Sequence, residues 1–193
     1  LSNARERLAY LFLRKRTALF SEEVLLLHVA PEPELAASLK RSPNLRYVSA
    51  DLFLPGVMAR FDLLRMPFPD QTFDAIICNH VMEHVADDSL AMAEVYRVLK
   101  PGGWALLQVP IALALRRGET IEDPSATSEA ERIRVFGQAD HVRLYSAPDY
   151  VERLEHAGFR VTVSKCATEL AEDVARYALE PEEHIFVCGK PVS

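Results

Sequence analysis

Apolar residues in this chain fall into two alternating patterns: short continuous runs, and longer stretches in which they recur at helical spacing. Val24 to Ala30 is the first continuous run, interrupted only by His28 and ended by Pro31 and Pro33. That is how a strand buried on both faces reads where it feeds a loop. Leu45 to Ala50, ending at Asp51, predicts a second strand, and Phe73 to Cys78 and Trp104 to Val109 predict two more. The segments 159–166 and 184–190 supply the last two. Between them, Leu8, Leu11, Phe12 and Leu19 at near-helical spacing among arginines predict an amphipathic surface helix over 3–19.

A short helix is expected over 34–41. Met92, Val95, Tyr96 and Leu99 fall at i, i+3, i+4 and i+7 behind Asp87 and Asp88, either of which suits an N-cap. Lys100-Pro101-Gly102-Gly103 is expected to stop that helix and turn the chain. Helices over Ser128 to Phe136 and Pro148 to Ala157 come next, the second closing at Gly158.

Strands alternating with helices predict an α/β fold, a doubly wound and mostly parallel sheet with helices on both faces. Two stretches depart from the rhythm. Only about ten residues separate Asp51 from Phe61, fewer than a helical crossover needs, so the sheet is expected to be trimmed there. Residues 111–140 carry mixed charge and no strand pattern, and the stretch 111–145 is expected to form a lid or substrate-binding insertion.

The length of 193 residues suits one domain, 1–193, with a full core. An apolar fraction of 49% excludes disorder as the main state. Acidic residues outnumber basic ones 28 to 22, so neither nucleic acid nor an anionic membrane is an expected partner. No apolar run approaches the roughly 18 residues of a membrane span, and Arg5, Arg7, Arg14, Lys15 and Arg16 interrupt the first helix, so no signal peptide is expected. Cys78, Cys166 and Cys188 are odd in number and lie in apolar runs, the usage of reduced core thiols in a cytoplasmic protein. Nothing in the pattern sets an oligomeric state.

In an open parallel sheet, ligands sit outside the carboxyl ends of the strands. The candidate site therefore consists of Ala30 to Glu32, Asp51, Asp62, Asn79 to His84, and Pro110 with the first residues of the insertion. Asp51 lies 23 residues after His28, near the spacing at which a second-strand carboxylate accepts both hydroxyls of a ribose diol. His80-Val81-Met82-Glu83-His84 also fits H-x-x-E-H, in which two helical histidines bind zinc and a glutamate activates water. That chemistry needs both histidines on one helical face and a third ligand downstream. Here the motif begins directly after a strand, so no metal is expected and a zinc hydrolase is the most distant reading.

Two runs carry a resemblance. Met66-Pro67-Phe68-Pro69-Asp70-Gln71-Thr72-Phe73-Asp74-Ala75-Ile76-Ile77-Cys78-Asn79-His80-Val81-Met82-Glu83-His84, with Glu94-Val95-Tyr96-Arg97-Val98-Leu99-Lys100-Pro101-Gly102-Gly103-Trp104, resembles the centre of class I S-adenosylmethionine-dependent methyltransferases of the type 11 group. The resemblance implies a Rossmann-like sheet of seven strands with the last antiparallel, S-adenosylmethionine as cofactor, and methyl transfer to a small-molecule substrate. Position by position, Asp51 matches the acid that holds the ribose, Asp62 the acid near the adenine, and Asn79 the residue facing the methionine part.

The departure lies at the first strand, where the family has an acid and a glycine-rich loop. This chain has Leu26-Leu27-His28-Val29-Ala30-Pro31-Glu32-Pro33, and its first glycine is Gly56. His28, Ala30 and Glu32 are nevertheless the expected cofactor-binding positions. Ala30 is the smallest substitute for the glycine, and Glu32 suits an α-ammonium while repelling a pyrophosphate. A helix-dipole role for Glu32 competes with that reading. Asp140-His141-Val142-Arg143-Leu144-Tyr145 alternates, so His141, Arg143 and Tyr145 share a face if extended. His141 is the first candidate for a base that deprotonates an acceptor, and His80 the second. Arg116, Arg117 and Arg143 are candidates to select an anionic acceptor. The missing glycine loop motivates a second function: a methyltransferase fold that has lost its cofactor and serves as a binding or scaffold protein.

Overall fold

A computed structural model describes residues 3–112 and 118–192. Helix α1 (Ala4–Arg16) leads into β1 (Val24–Val29), α2 (Pro33–Lys40), β2 (Leu45–Asp51), β3 (Ala59–Arg60) and β4 (Phe73–Cys78). A single 3-10 turn at Met82–His84 then precedes α3 (Asp88–Val98) and β5 (Leu99–Leu106). The insertion contributes β6 (Ile121–Glu122), α4 (Glu129–Phe136) and β7 (Arg143–Leu144). The chain finishes with α5 (Ala147–His156), β8 (Arg160–Lys165), α6 (Cys166–Glu169), α7 (Val174–Tyr177) and β9 (His184–Gly189).

Seven strands form one sheet in the order β3-β2-β1-β4-β5-β9-β8. The first five run parallel, and β9 is antiparallel to both β5 and β8. Side chains alternate across the sheet, and each face has its own core. Leu27, Val29, Ile76 and Cys78 pack with Met92, Val95 and Val98 of α3 and Tyr150 and Leu154 of α5. Leu26, Ala75 and Ile77 point the other way, onto Leu8, Leu11 and Phe12 of α1 and Leu35 and Leu39 of α2. The central strands therefore read as nearly continuous apolar runs because both faces are covered.

Three expectations need correction. Helix α1 does lie with one face outside, Arg5, Arg14, Lys15 and Arg16 exposed, but its buried stripe is broad and includes the consecutive Leu11, Phe12 and Leu13. Lys100-Pro101-Gly102-Gly103 is not a turn but part of β5, which starts at Leu99. Gly102 takes φ +78°, and the pairing of β4 with β5 shifts register between Phe73 and Ala75, so the glycines serve a bulge. A side chain at Gly103 would lie 2.7 Å from the Asp74 carbonyl oxygen. The insertion does contain strand: β6 and β7 pair antiparallel, each too short to show a period. The predicted strand 159–166 ends at Lys165, and Cys166 opens α6.

The short connection after Asp51 is irregular, as its length requires. Residues 52–58 run without a helix into β3, two residues long and paired parallel with the end of β2. This trimming leaves Leu52, Phe53, Leu54 and Met58 exposed at the carboxyl edge of the sheet, Phe53 at 78%. Cys78, Cys166 and Cys188 are buried free thiols. No helix among the described residues is long and apolar enough to cross a membrane.

Candidate active site

A cleft of about 450 Å³ opens at the carboxyl ends of β1 to β4, lined by Ala30, Asp51, Phe53, Phe61, Asp62 and His80 among others. Four of the eight expected site residues, Ala30, Asp51, Asp62 and His80, thus come from four separate segments to one wall. Leu52, Leu63, Leu64 and Val81 add apolar lining, which the sequence reading did not assign.

Two non-glycine residues that line the cleft have left-handed backbones. Ala30 has φ +48° and His80 has φ +54°. Each costs of order 1–3 kcal/mol and persists only where the surroundings hold it. The Ala30 amide donates to the Ala50 carbonyl at 2.8 Å and the His80 amide to the Gln108 carbonyl at 2.7 Å, which fixes both turns. Ala30 thus keeps the conformation a glycine would take, without being one.

Behind Ala30 runs a chain of buried polar groups. His28, fully buried in β1, contacts the Tyr47 hydroxyl through Nδ1 at 3.0 Å and Glu32 Oε2 through Nε2 at 2.6 Å. Asn79 Nδ2 donates to Glu32 Oε1 at 3.1 Å. Burial pushes the Glu32 carboxyl up, but its bond and charge contact with His28, helped by Asn79, leave it below the usual carboxylate range. Burial and the Glu32 charge push the Tyr47 phenol up. His28 therefore does not reach the cleft, because both ring nitrogens are engaged inside the wall; it acts through Glu32. Glu32 opens α2 as its N-cap residue but makes no side-chain cap bond, so its carboxylate serves His28 and Asn79 instead. Tyr47 was missed, since an aromatic residue in a strand gives no sequence signal of such pairing.

The two acids are preset by their own turns. Asp51 Oδ1 accepts the amides of Phe53 and Leu54, each at 2.6 Å, and Asp62 Oδ1 accepts the Leu64 amide at 2.9 Å. Each carboxylate keeps its second oxygen for a ligand.

The far wall is the 3-10 turn. Glu83 is 2% exposed, His80 Nδ1 lies 3.6 Å from Glu83 Oε1, and His84 Nε2 lies 4.0 Å from it. His84 lines the cleft; its Nδ1 contacts the Asp140 carbonyl oxygen at 3.1 Å, and its ring meets that of His141 edge-on with centroids 4.7 Å apart. His141 itself is 4% exposed and lies behind His84. Burial holds its pKa below the ordinary value, partly opposed by the Glu83 charge. The expected first-choice base is therefore set back from the cleft, and the second choice, His80, is on its surface.

Arg143 cannot select an acceptor. It is 3% exposed, with Nε donating to Glu122 at 2.7 Å and its other nitrogens donating to the carbonyls of Met82, Val85 and Ala86. The guanidinium fork caps the turn that carries Glu83 and His84. Arg116 and Arg117 lie outside the described residues. Around Arg143, Asp88 accepts the Tyr145 hydroxyl at 2.6 Å, and Arg153 bridges Asp88 to Glu122. The insertion lines a second hollow of about 390 Å³, which includes Phe136, Arg143 and Ala86, and Ala86 also lines the cleft.

The family described as a methyltransferase domain matches residues 20–164. The chain belongs to that family. A demethylmenaquinone methyltransferase of Streptomyces avermitilis is 45% identical over 110 residues, 51% of this chain and 47% of that protein. A 27-O-demethylrifamycin SV methyltransferase of Amycolatopsis mediterranei is 30% identical over 135 residues, 69% of this chain and 44% of the relative. The chain spans less than half the length of these relatives. Among solved structures, the 4+2 cyclase SpnF superposes with a TM-score of 0.66 at 19% identity, covering 97% of this chain and 82% of that one. This methyltransferase domain thus shares its fold with a protein named for a different reaction, so the chemistry must be argued from the site.

Proposed function

We propose that this methyltransferase domain transfers a methyl group from S-adenosylmethionine to a small-molecule acceptor. One observation carries the reading. Asn79 Oδ1 is buried with no hydrogen-bond partner, at the end of β4 and next to the cleft residue His80. A buried acceptor left unpaired costs about 1–3 kcal/mol, and a donor from a ligand removes that cost. The α-ammonium of the cofactor is such a donor, and it meets the Glu32 carboxylate beside Asn79. The second oxygens of Asp51 and Asp62 suit the ribose diol and the adenine side, with Phe61 and Leu64 as apolar lining.

When bound, the cofactor supplies a methyl group on a positively charged sulfur. The residues of the chain orient the two reactants and keep out water. Where the acceptor must lose a proton, His80 is on the cleft surface to take it, and Glu83 beside it stabilises the resulting imidazolium. His141 joins that arrangement through His84. The acceptor is a small molecule that enters along the edge shared with the second hollow at Ala86. Neither a nucleic-acid nor a membrane partner is invoked.

Titration with S-adenosylhomocysteine tests this reading. Binding should saturate, and Asp51→Ala should weaken it by about 1–3 kcal/mol, the scale of a lost hydrogen bond to a charged group. A second reading has its own observation: the loop after β1 lacks glycine, and Glu32 is already committed to His28 and Asn79. No binding of the homocysteine nucleoside would favour a domain that has kept the fold for binding or scaffolding.

A further inference from the structure

The methyl-transfer reading uses Glu83 only as the charge beside His80, yet Glu83, His84 and His141 together make a set that can do more. A carboxylate oxygen of Glu83 and one ring nitrogen each from His84 and His141 lie within 4.8 Å of one another. His141 arrives from 57 positions along the chain, because the amide of its neighbour Val142 donates to the Glu83 carbonyl at 2.9 Å and Arg143 holds the carbonyls of the same turn. The downstream third ligand that H-x-x-E-H lacks in sequence is therefore delivered by the fold.

The independent observation is unpaired polarity. Glu83 Oε2, His141 Nδ1 and His80 Nδ1 are buried atoms with no hydrogen-bond partner, and Glu83 and His141 are 2% and 4% exposed. The nearest cationic candidates stand 3.6 Å and 4.0 Å from Glu83 Oε1, beyond hydrogen-bond range. A buried carboxylate oxygen without a hydrogen-bond partner is costly to hold. The imidazole nitrogens of His80 and His84 stand too far from Glu83 to hydrogen-bond it, and a cation placed between carboxylate and rings can be shared by both.

We infer that Glu83, His84 and His141, with His80 beside them, hold a first-row divalent transition metal ion at the edge of the cleft. Two imidazoles and one carboxylate suit zinc, cobalt, manganese or iron rather than calcium or magnesium, which prefer all-oxygen shells. Ligand distances of about 2.0–2.2 Å require the three side chains to close by about an ångström, a small rotamer adjustment. Three protein ligands leave a position open. His84 lines the cleft, so the open position is available to an oxygen of a small molecule there. This does not restore the helical zinc motif: the turn is 3-10, and His80 is on its approach.

The probe is Co2+ added to the full chain, followed by visible d–d absorption. The expected result is saturation at about one ion per chain, competed by Zn2+, with Zn2+ alone raising the melting temperature. Glu83→Gln and His141→Ala should each weaken Co2+ by tenfold or more. His84→Ala, at a partly exposed position, should do the same without threatening the fold, and circular dichroism reports whether each variant is folded. No saturable spectrum, or a spectrum that all three variants leave unchanged, overturns the inference. The homocysteine-nucleoside titration of the same samples is a separate readout, so loss of the metal site and loss of the cofactor site cannot be confused.

Discussion

Two polar clusters flank the cleft, and their atoms are satisfied to different degrees. On the β1 side, Tyr47, His28, Glu32 and Asn79 form a closed line of contacts between 2.6 and 3.1 Å, with one amide oxygen left over. On the turn side, His80, Glu83, His84 and His141 approach one another without bonding, and three of them carry an unpaired buried atom. The first cluster stabilises a wall. The second depends on its surroundings: Arg143, Asp88 and Arg153 hold it in place from behind, while Glu83 Oε2, His80 Nδ1 and His141 Nδ1 have no hydrogen-bond partner. Internal satisfaction marks residues that shape a site, and its absence marks residues that await a partner.

The largest effect should come from breaking the support of the second cluster. Arg143→Ala removes four hydrogen bonds from a buried guanidinium and takes a donor from Glu122 and from the carbonyls of Met82, Val85 and Ala86. Removing one partner of a buried pair costs about 3–5 kcal/mol, so unfolding in urea should show a stability loss of that size with an unchanged slope. A loss under about 1 kcal/mol would mean that the turn carbonyls do not depend on Arg143.

A smaller, pH-dependent effect should come from the first cluster. The folded Glu32 carboxyl is more acidic than its ordinary value of 4.5, so its stabilisation is complete above that pH. It is lost as pH falls from there through the folded value, where the unfolded chain binds the proton first. Glu32→Gln should cost about 1–3 kcal/mol at neutral pH and flatten the acid limb of the stability curve below pH 4.5. If the acid limb of the variant matches that of the parent, the His28 pairing does not stabilise the fold.

The difference between the clusters also explains what could be read from sequence. The central strands, the start of α3 at the Asp87-Asp88 pair and the span of α4 from Ser128 were legible because local patterns specify them. The positions of Asp51 and Asp62 on the cleft were legible because Asp51 ends β2 and Asp62 follows β3 on the ligand side of the sheet. Arg143 was misread because alternation places it on a face but cannot say that the face turns inward onto backbone carbonyls. The gathering of Glu83, His84 and His141 was not legible at all. It depends on a contact across 57 residues, and local spacing carries no information about such a closure.

The smallest effect sharpens the comparison most. Ala30 is strained in a left-handed backbone that glycine would adopt freely, while glycine brings an entropy cost of about 0.5–1 kcal/mol. Ala30→Gly should therefore change stability by less than about 1 kcal/mol, in the stabilising direction if the strain at φ +48° outweighs the entropy cost of glycine. Affinity for S-adenosylhomocysteine decides more. If the satisfied first cluster already holds the loop in the glycine conformation, removing one methyl group adds no preorganisation, and affinity should stay within about twofold of the parent. A gain of about tenfold, some 1.4 kcal/mol, would show that the methyl group itself obstructs the cofactor. The closed polar line behind Ala30 would then be the remnant of a binding loop rather than its replacement.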